Sequence, residues 1–331
     1  MTRWRTSRLV GVALLVAAVG AVAVAGRHRA SPRRSTSPAA TAGPSRPVTT
    51  EQPGTYAGGA AGATDRTGVR QLALTFIDPT RATVARSPLP ARPGRVLSTR
   101  VWLPTAPGPW PLVVFGHGFA VQGSTYEGLL RAIAAEGFVV AAPDFPGSTS
   151  AASGAPNELD VREEPCDLLF VAHHLQEAGR GGGPLAGDVA GGRVALAGQS
   201  DGATAAAFAA LSDPVGACGG PPVAAVVAFS SNPVPRRAGA DAAVLAITGS
   251  ADAVNPPSHT RALYEEAPAS AYLLTSLGDG HLAPSTDSPH HTEIAMVVVD
   301  FLRAALLDST AARHQLVSDA HRPGLVLASR P

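Results

Sequence analysis

Gly198-Gln199-Ser200-Asp201-Gly202 is a serine flanked by glycine two residues on either side, set between an apolar run at 193–197 and an alanine-rich stretch at 203–211. A short strand that turns abruptly into a helix holds its turn residue in a strained conformation, and only glycine at the flanking positions leaves room for it. A serine in that turn presents its hydroxyl at the edge of a sheet, and the chemistry this suits is nucleophilic attack. Such a hydroxyl needs a base to take its proton, an acid to orient the base, and two N–H donors for the oxyanion that develops. Ser200 is the only serine in the chain with glycine at both positions, but a pentapeptide is short enough to arise by chance. Its companions must decide.

In the strand–turn–helix arrangement with this motif the chain order is serine, acid, histidine. The acid is expected at Asp252, where the apolar run 243–248 ends in Gly249-Ser250-Ala251-Asp252 at the carboxyl edge of a strand. Asp241 precedes that run and falls at the wrong edge. The base is expected at His281, in Gly278-Asp279-Gly280-His281 after the run 271–276. His290 and His291, at the start of the last helical pattern, read as surface or capping residues. For the oxyanion donors we expect the backbone amides of Asp201, which follows the nucleophile, and of Phe119, in His117-Gly118-Phe119 after the strand 111–116. Asp201 itself has two readings: a carboxylate that repels anionic acyl groups, or one turned into its own helix N-terminus. The adjacent pair His173-His174 suggests metal only weakly, since neighbours on a helix point to different faces and no carboxylate spacing completes a site. No metal and no cofactor is expected.

These residues must be held by strands that alternate with helices. Strands are expected at about 70–77, 97–103, 111–116, 138–142, 193–197, 223–229, 243–248 and 271–276, and helices at 124–136, 160–178, 201–211, 257–267 and 290–307. The first two strands precede any helix and so form an antiparallel edge. The rest alternates, which predicts an α/β fold: an eight-stranded, mostly parallel sheet with helices on both faces. Only the short segment 230–242 joins the sixth and seventh strands, too little for a cap domain, so the cleft should be open and walled by the Ser-, Gly- and Pro-rich loop 143–160.

The stretches Trp110-Pro111-Leu112-Val113-Val114-Phe115-Gly116-His117-Gly118-Phe119 and Glu136-Gly137-Phe138-Val139-Val140-Ala141-Ala142-Pro143-Asp144 resemble the chlorophyllase, platelet-activating-factor acetylhydrolase and bacterial polyester-hydrolase (cutinase-like) branch of the α/β-hydrolases. Asp78-Pro79-Thr80-Arg81 and Val101-Trp102-Leu103-Pro104 fit the same branch. The resemblance covers roughly residues 70–307. It implies the α/β-hydrolase fold and carboxylic-ester hydrolysis through an acyl-enzyme, with Ser200, Asp252 and His281 as triad and the amides of Phe119 and Asp201 as oxyanion donors. The chain departs from the group at Gln199, where relatives usually carry His or Trp, and at Ser230-Ser231-Asn232-Pro233, which lacks the tryptophan that stacks an aromatic acid. Both departures argue against aromatic polyesters and leave short- to medium-chain esters as the expected substrates. An amidase or peptidase could use the same triad, and a non-catalytic surface binding protein is the reading from a different class.

The chain has 331 residues, and all 26 basic ones are arginine. Eight arginines and no acids lie in residues 1–50, which leaves 18 arginines against 25 acids beyond them, a net −7. A folded part this acidic argues against nucleic acid as a partner. Arg3, Arg5 and Arg8 followed by the apolar stretch 9–25 and Ala23-Val24-Ala25 read as an export signal, cleaved or retained as a single-pass anchor in the membrane over residues 1–26. Residues 27–66, rich in Ser, Pro, Ala and Gly, read as a disordered linker, 67–308 as the catalytic domain, expected to be a monomer, and 309–331 as a tail that packs or dangles. Export places the domain outside the cytoplasm, secreted or anchored, where Cys166 and Cys218, the only cysteines, could form a disulfide. In the cytosol two free buried thiols would be the better reading.

Overall fold

Runs such as Leu112–Gly116 and Val194–Gln199 are buried at every position, the pattern of strands covered on both faces. The computed structural model describes residues 61–64 (backbone alone), 68–212, 218–268 and 270–330. The expected export segment 1–26 and nearly all of the linker 27–66 lie outside them. Among the described residues the strands are β1 Ala61–Thr64, β2 Val69–Asp78, β3 Arg95–Pro104, β4 Leu112–Gly116, β5 Val139–Asp144, β6 Val194–Gln199, β7 Val223–Phe229, β8 Ala243–Gly249, β9 Ala271–Ser276 and β10 Leu325–Arg330. They form one sheet in the order β1-β2-β3-β5-β4-β6-β7-β8-β9-β10. Strands β4 to β9 run parallel, while β1, β2 and β3 at one edge and β10 at the other pair antiparallel.

The pleat alternates side chains between two cores. Leu112, Val114, Leu196, Val226 and Val244 face one core, closed by helices α2 Glu164–Arg180, α3 Asp201–Leu211 and α4 Pro257–Glu266. Val113, Phe115, Ala195, Val227 and Leu245 face the other, closed by α1 Glu127–Ala135, α5 His291–Leu306 and α6 Thr310–Asp319. With each such side chain contributing about 1.5–3 kcal/mol when fully buried, the sheet is a rigid platform for what its strand ends carry.

Two boundaries differ from the expectation, and with them the strand count, which is ten rather than eight. Ala61–Thr64, inside the segment read as linker, pairs with β2. At the other end the domain does not stop at 308. Ser309 caps α6 by accepting from the Ala312 N–H, Leu316 on that helix is fully buried, and β10 pairs with β9 along its whole length. Only Leu325 of β10 is buried, so an edge strand with one inward residue left little apolar signal in the sequence.

Three tethers hold loops to the body of the domain. Arg95, at the start of β3 and fully buried, makes two-pronged hydrogen bonds to Asp160 and to Asp167 at 2.6–2.8 Å. The fork geometry satisfies both carboxylates at once, so a buried cation joins β3, the 145–160 loop and α2. Arg81 adds Asp78 to the same network through Asp167. Cys166 and Cys218 form a disulfide across 52 residues of sequence, which removes ~4 kcal/mol of unfolded-chain entropy in the loop-closure view. Finally, Ala120 donates to the Ser148 carbonyl and Ser150 to the Val121 carbonyl, which zips the 145–157 loop onto the segment after β4.

Strand β4 sits between β5 and β6, and the chain leaves it first to one side and then crosses to the other. Such a reversal opens a crevice at the carboxyl ends of β4 and β6. The segment joining β7 to β8 contains no helix or strand, so no cap covers that crevice from there.

Candidate active site

Ser200 stands between β6 and α3 with φ 55° and ψ −119°, a conformation that L-residues rarely adopt. The flanking glycines are required by contact. A Cβ on Gly198 would lie 2.4 Å from the Gly202 carbonyl group, and one on Gly202 would lie 2.2 Å from the Gly116 oxygen of β4. The turn is held by the Ser200 N–H donating to the Phe229 carbonyl (2.9 Å) and by the Ser200 carbonyl accepting from the Thr204 amide (2.9 Å).

The loops after β8 and β9 bring two distant residues to it. His281 Nε2 is 3.0 Å from Ser200 Oγ, and His281 Nδ1 is 2.9 Å from Asp252 Oδ2. Asp252 is buried, and its Oδ1 accepts from the amides of Val254 (3.0 Å) and Asn255 (2.9 Å). Burial alone would raise this carboxyl. Hydrogen bonds from His281, Ser230 and the Asn255 amide outweigh it and hold Asp252 below the usual carboxylate range. An ionised Asp252 selects the imidazole tautomer with hydrogen on Nδ1, which leaves Nε2 free to accept from the Ser200 hydroxyl. The expected rivals lie elsewhere: the rings of His290 and His291 face Gly324 and Gly128.

The segment after β4 runs directly beside the serine. A Cβ on Gly118 would be 3.3 Å from Ser200 Cβ and 2.5 Å from Gln199 Oε1, so only glycine passes here. His117 is buried, and its Nε2 accepts from the Phe145 N–H (2.9 Å), so Nδ1 carries the hydrogen and donates to the Gly118 carbonyl (2.8 Å). Burial pushes its pKa down, and it serves as a neutral clamp between two loops. The Phe119 amide donates to no described residue, and the Asp201 amide is in the first turn of α3, where N–H groups lack intrahelical acceptors.

With this geometry in hand, the comparison with known families is informative: residues 73–216 match the family model Chlorophyllase. The chain has the α/β-hydrolase fold. The match runs from β2 past α3, so it includes Phe119, Ser200 and Asp201 and ends before Asp252 and His281. No curated protein matches the chain in sequence.

Three further residues join the site without having been expected there. Tyr126 accepts from the Gly118 N–H (3.1 Å) and donates to Gln199 Oε1 (2.9 Å). Gln199 in turn donates through Nε2 to the His281 carbonyl (3.2 Å), which also accepts from Ser230 Oγ (3.1 Å). A chain of hydrogen bonds therefore runs from the glycine beside Ser200 to the backbone of the histidine loop. In the sequence Gln199 stood out only as a departure from the family, a polar residue closing an otherwise apolar strand. Asp201 lies in the first turn of α3, whose N-cap Ser200 makes no capping bond from its side chain. Asp201 is half-buried, and burial with the charge of Glu158 raises its pKa against the pull of His281, so its carboxyl lies in the field of the site.

Proposed function

We propose that this α/β-hydrolase is an exported serine carboxylic-ester hydrolase acting through an acyl-enzyme on short- to medium-chain esters. The observation that carries the reading is the unbroken line Asp252–His281–Ser200, with separations of 2.9 and 3.0 Å. In the first half-reaction His281 Nε2 takes the Ser200 proton while Oγ bonds to the acyl carbon. The tetrahedral oxyanion is met by the amides of Phe119 and Asp201. Collapse breaks the bond to the alcohol, whose oxygen leaves with the proton from Nε2, and the acyl group stays on Ser200. Water then repeats the cycle: it gives a proton to Nε2, attacks the acyl carbon, and releases the acid and Ser200. Asp252 stabilises the imidazolium at both stages and keeps its ring oriented.

The cleft lacks a cap between β7 and β8, and Ser200 is partly exposed, which suits soluble esters without an interface. Export is supported by the disulfide, a bond that persists in oxidising compartments. The sequence of residues 1–26 offers the signal or anchor.

The test is a panel of p-nitrophenyl esters from acetate to decanoate run beside the matching anilides. Turnover should be highest on the shorter esters and weak on every anilide. Ser200→Ala should lower kcat by about 10⁴-fold or more with KM little changed. Preferential cleavage of anilides would assign the site to amide chemistry, and turnover that survives Ser200→Ala would remove the mechanism.

A further inference from the structure

We propose that His173, His174 and Glu177 on α2 bind one divalent transition-metal ion of the zinc class, at a site separate from the proposed ester-cleaving centre. The adjacent imidazoles were expected on different faces of the helix with no carboxylate to complete them. Instead their rings lie 5.1 Å apart, and Glu177, one turn on, faces both. Its Oε1 is 3.6 Å from His173 Nε2 and its Oε2 is 3.7 Å from His174 Nδ1, and the donor atoms all fall within 4.8 Å of one another.

These separations are too long for hydrogen bonds. The two carboxylate–imidazole separations are close to what a shared ion requires, because ligands at about 2.0–2.1 Å in a tetrahedral shell sit about 3.3 Å apart, and side-chain rotation must draw in the donors that stand up to 4.8 Å from one another. Two imidazoles and a carboxylate are the donor set of zinc, with copper and nickel next, rather than of calcium or magnesium. Three protein ligands leave a fourth position for water.

The surroundings favour binding. His174 is wedged between Phe170, at 4.3 Å between ring centroids, and Phe76, at 6.3 Å, which fixes its ring. The triad lines a cavity of about 480 Å³, and His174 and Glu177 also line a second of about 220 Å³. Asp78 borders the larger cavity but is taken by Thr80 and Arg81, so it is not counted as a ligand. The site is about 14 Å along α2 from Glu164, at the helix end remote from the Ser148 loop.

The test uses the full chain, stripped with a chelator and titrated with ZnCl2 by calorimetry. One equivalent should bind. The double variant His173→Gln/Glu177→Gln should weaken that binding by about tenfold or more, with metal-free melting temperature and ester turnover unchanged. Zinc could instead settle on the imidazole beside Ser200, so His281→Ala is titrated in parallel and should keep the equivalent. Three results would overturn the proposal: no stoichiometric zinc in the wild type, equal affinity in the double variant, or loss of the equivalent in His281→Ala alone.

Discussion

Gln199 connects the two halves of the proposed site, since its amide oxygen holds Tyr126, and with it Gly118, while its nitrogen holds the His281 carbonyl. Replacing it with alanine leaves the Tyr126 hydroxyl and the His281 carbonyl short of a partner and frees both loops to shift. Because such shifts misplace reacting groups rather than weaken binding, Gln199→Ala should lower kcat about tenfold or more at nearly constant KM. Stopped-assay kinetics check the split, and a change confined to KM would mean that Gln199 shapes the substrate pocket instead. Asp201 tests the electrostatics. Removing its charge in Asp201→Asn should raise kcat/KM for anionic esters relative to neutral ones by about three- to tenfold at low salt, with the gain shrinking as salt is added. An unchanged preference would mean the carboxylate does not face the acyl group. Ser200, Asp252 and His281 could be located from sequence because each follows a strand end, a local constraint that spacing reveals. The partnerships of Gln199 with Tyr126 and His281, and of Ser230 with His281, span 73, 82 and 51 residues, and no local pattern encodes them.

Among the elements, the central strands were legible because burial on both faces demands continuous apolar runs. The C-terminal α6 and β10 were not, since an edge strand and a half-exposed helix need only a few inward residues. Their attachment carries a pH dependence. On α5, burial and the neighbouring Asp319 carboxylate of α6 push Asp300 up to about 6 from 3.8, against the pull of Arg303. The folded state thus holds a proton that the unfolded chain has released between those values, and stability from this group falls as pH rises through about 6. Asp300→Asn should remove that loss. Thermal melts should show the variant above wild type by on the order of 2 kcal/mol at about pH 7.5 and level with it at about pH 4. The opposite ordering at the higher pH would show that the carboxylate is stabilising as an anion.

For the molecule as a whole, the sheet order explains why the proposed chemistry sits where it does. The reversal at β4 opens the crevice, the elbow after β6 places Ser200 in it, and the loops after β8 and β9 deliver Asp252 and His281 to the same edge. Buried Arg95, paired with Asp160 and Asp167, holds the 145–160 wall in register with that edge. Its ion pairs cross 65 and 72 residues and left no trace in composition, which shows only a net −7 beyond residue 50. The most direct measurement of the central claim is covalent labelling of the full chain with a fluorophosphonate, read by intact mass and peptide mapping. The account predicts one phosphonyl group per chain, on Ser200, absent in Ser200→Ala and strongly slowed in His281→Ala. An unlabelled chain, or a label on any other residue, would contradict it.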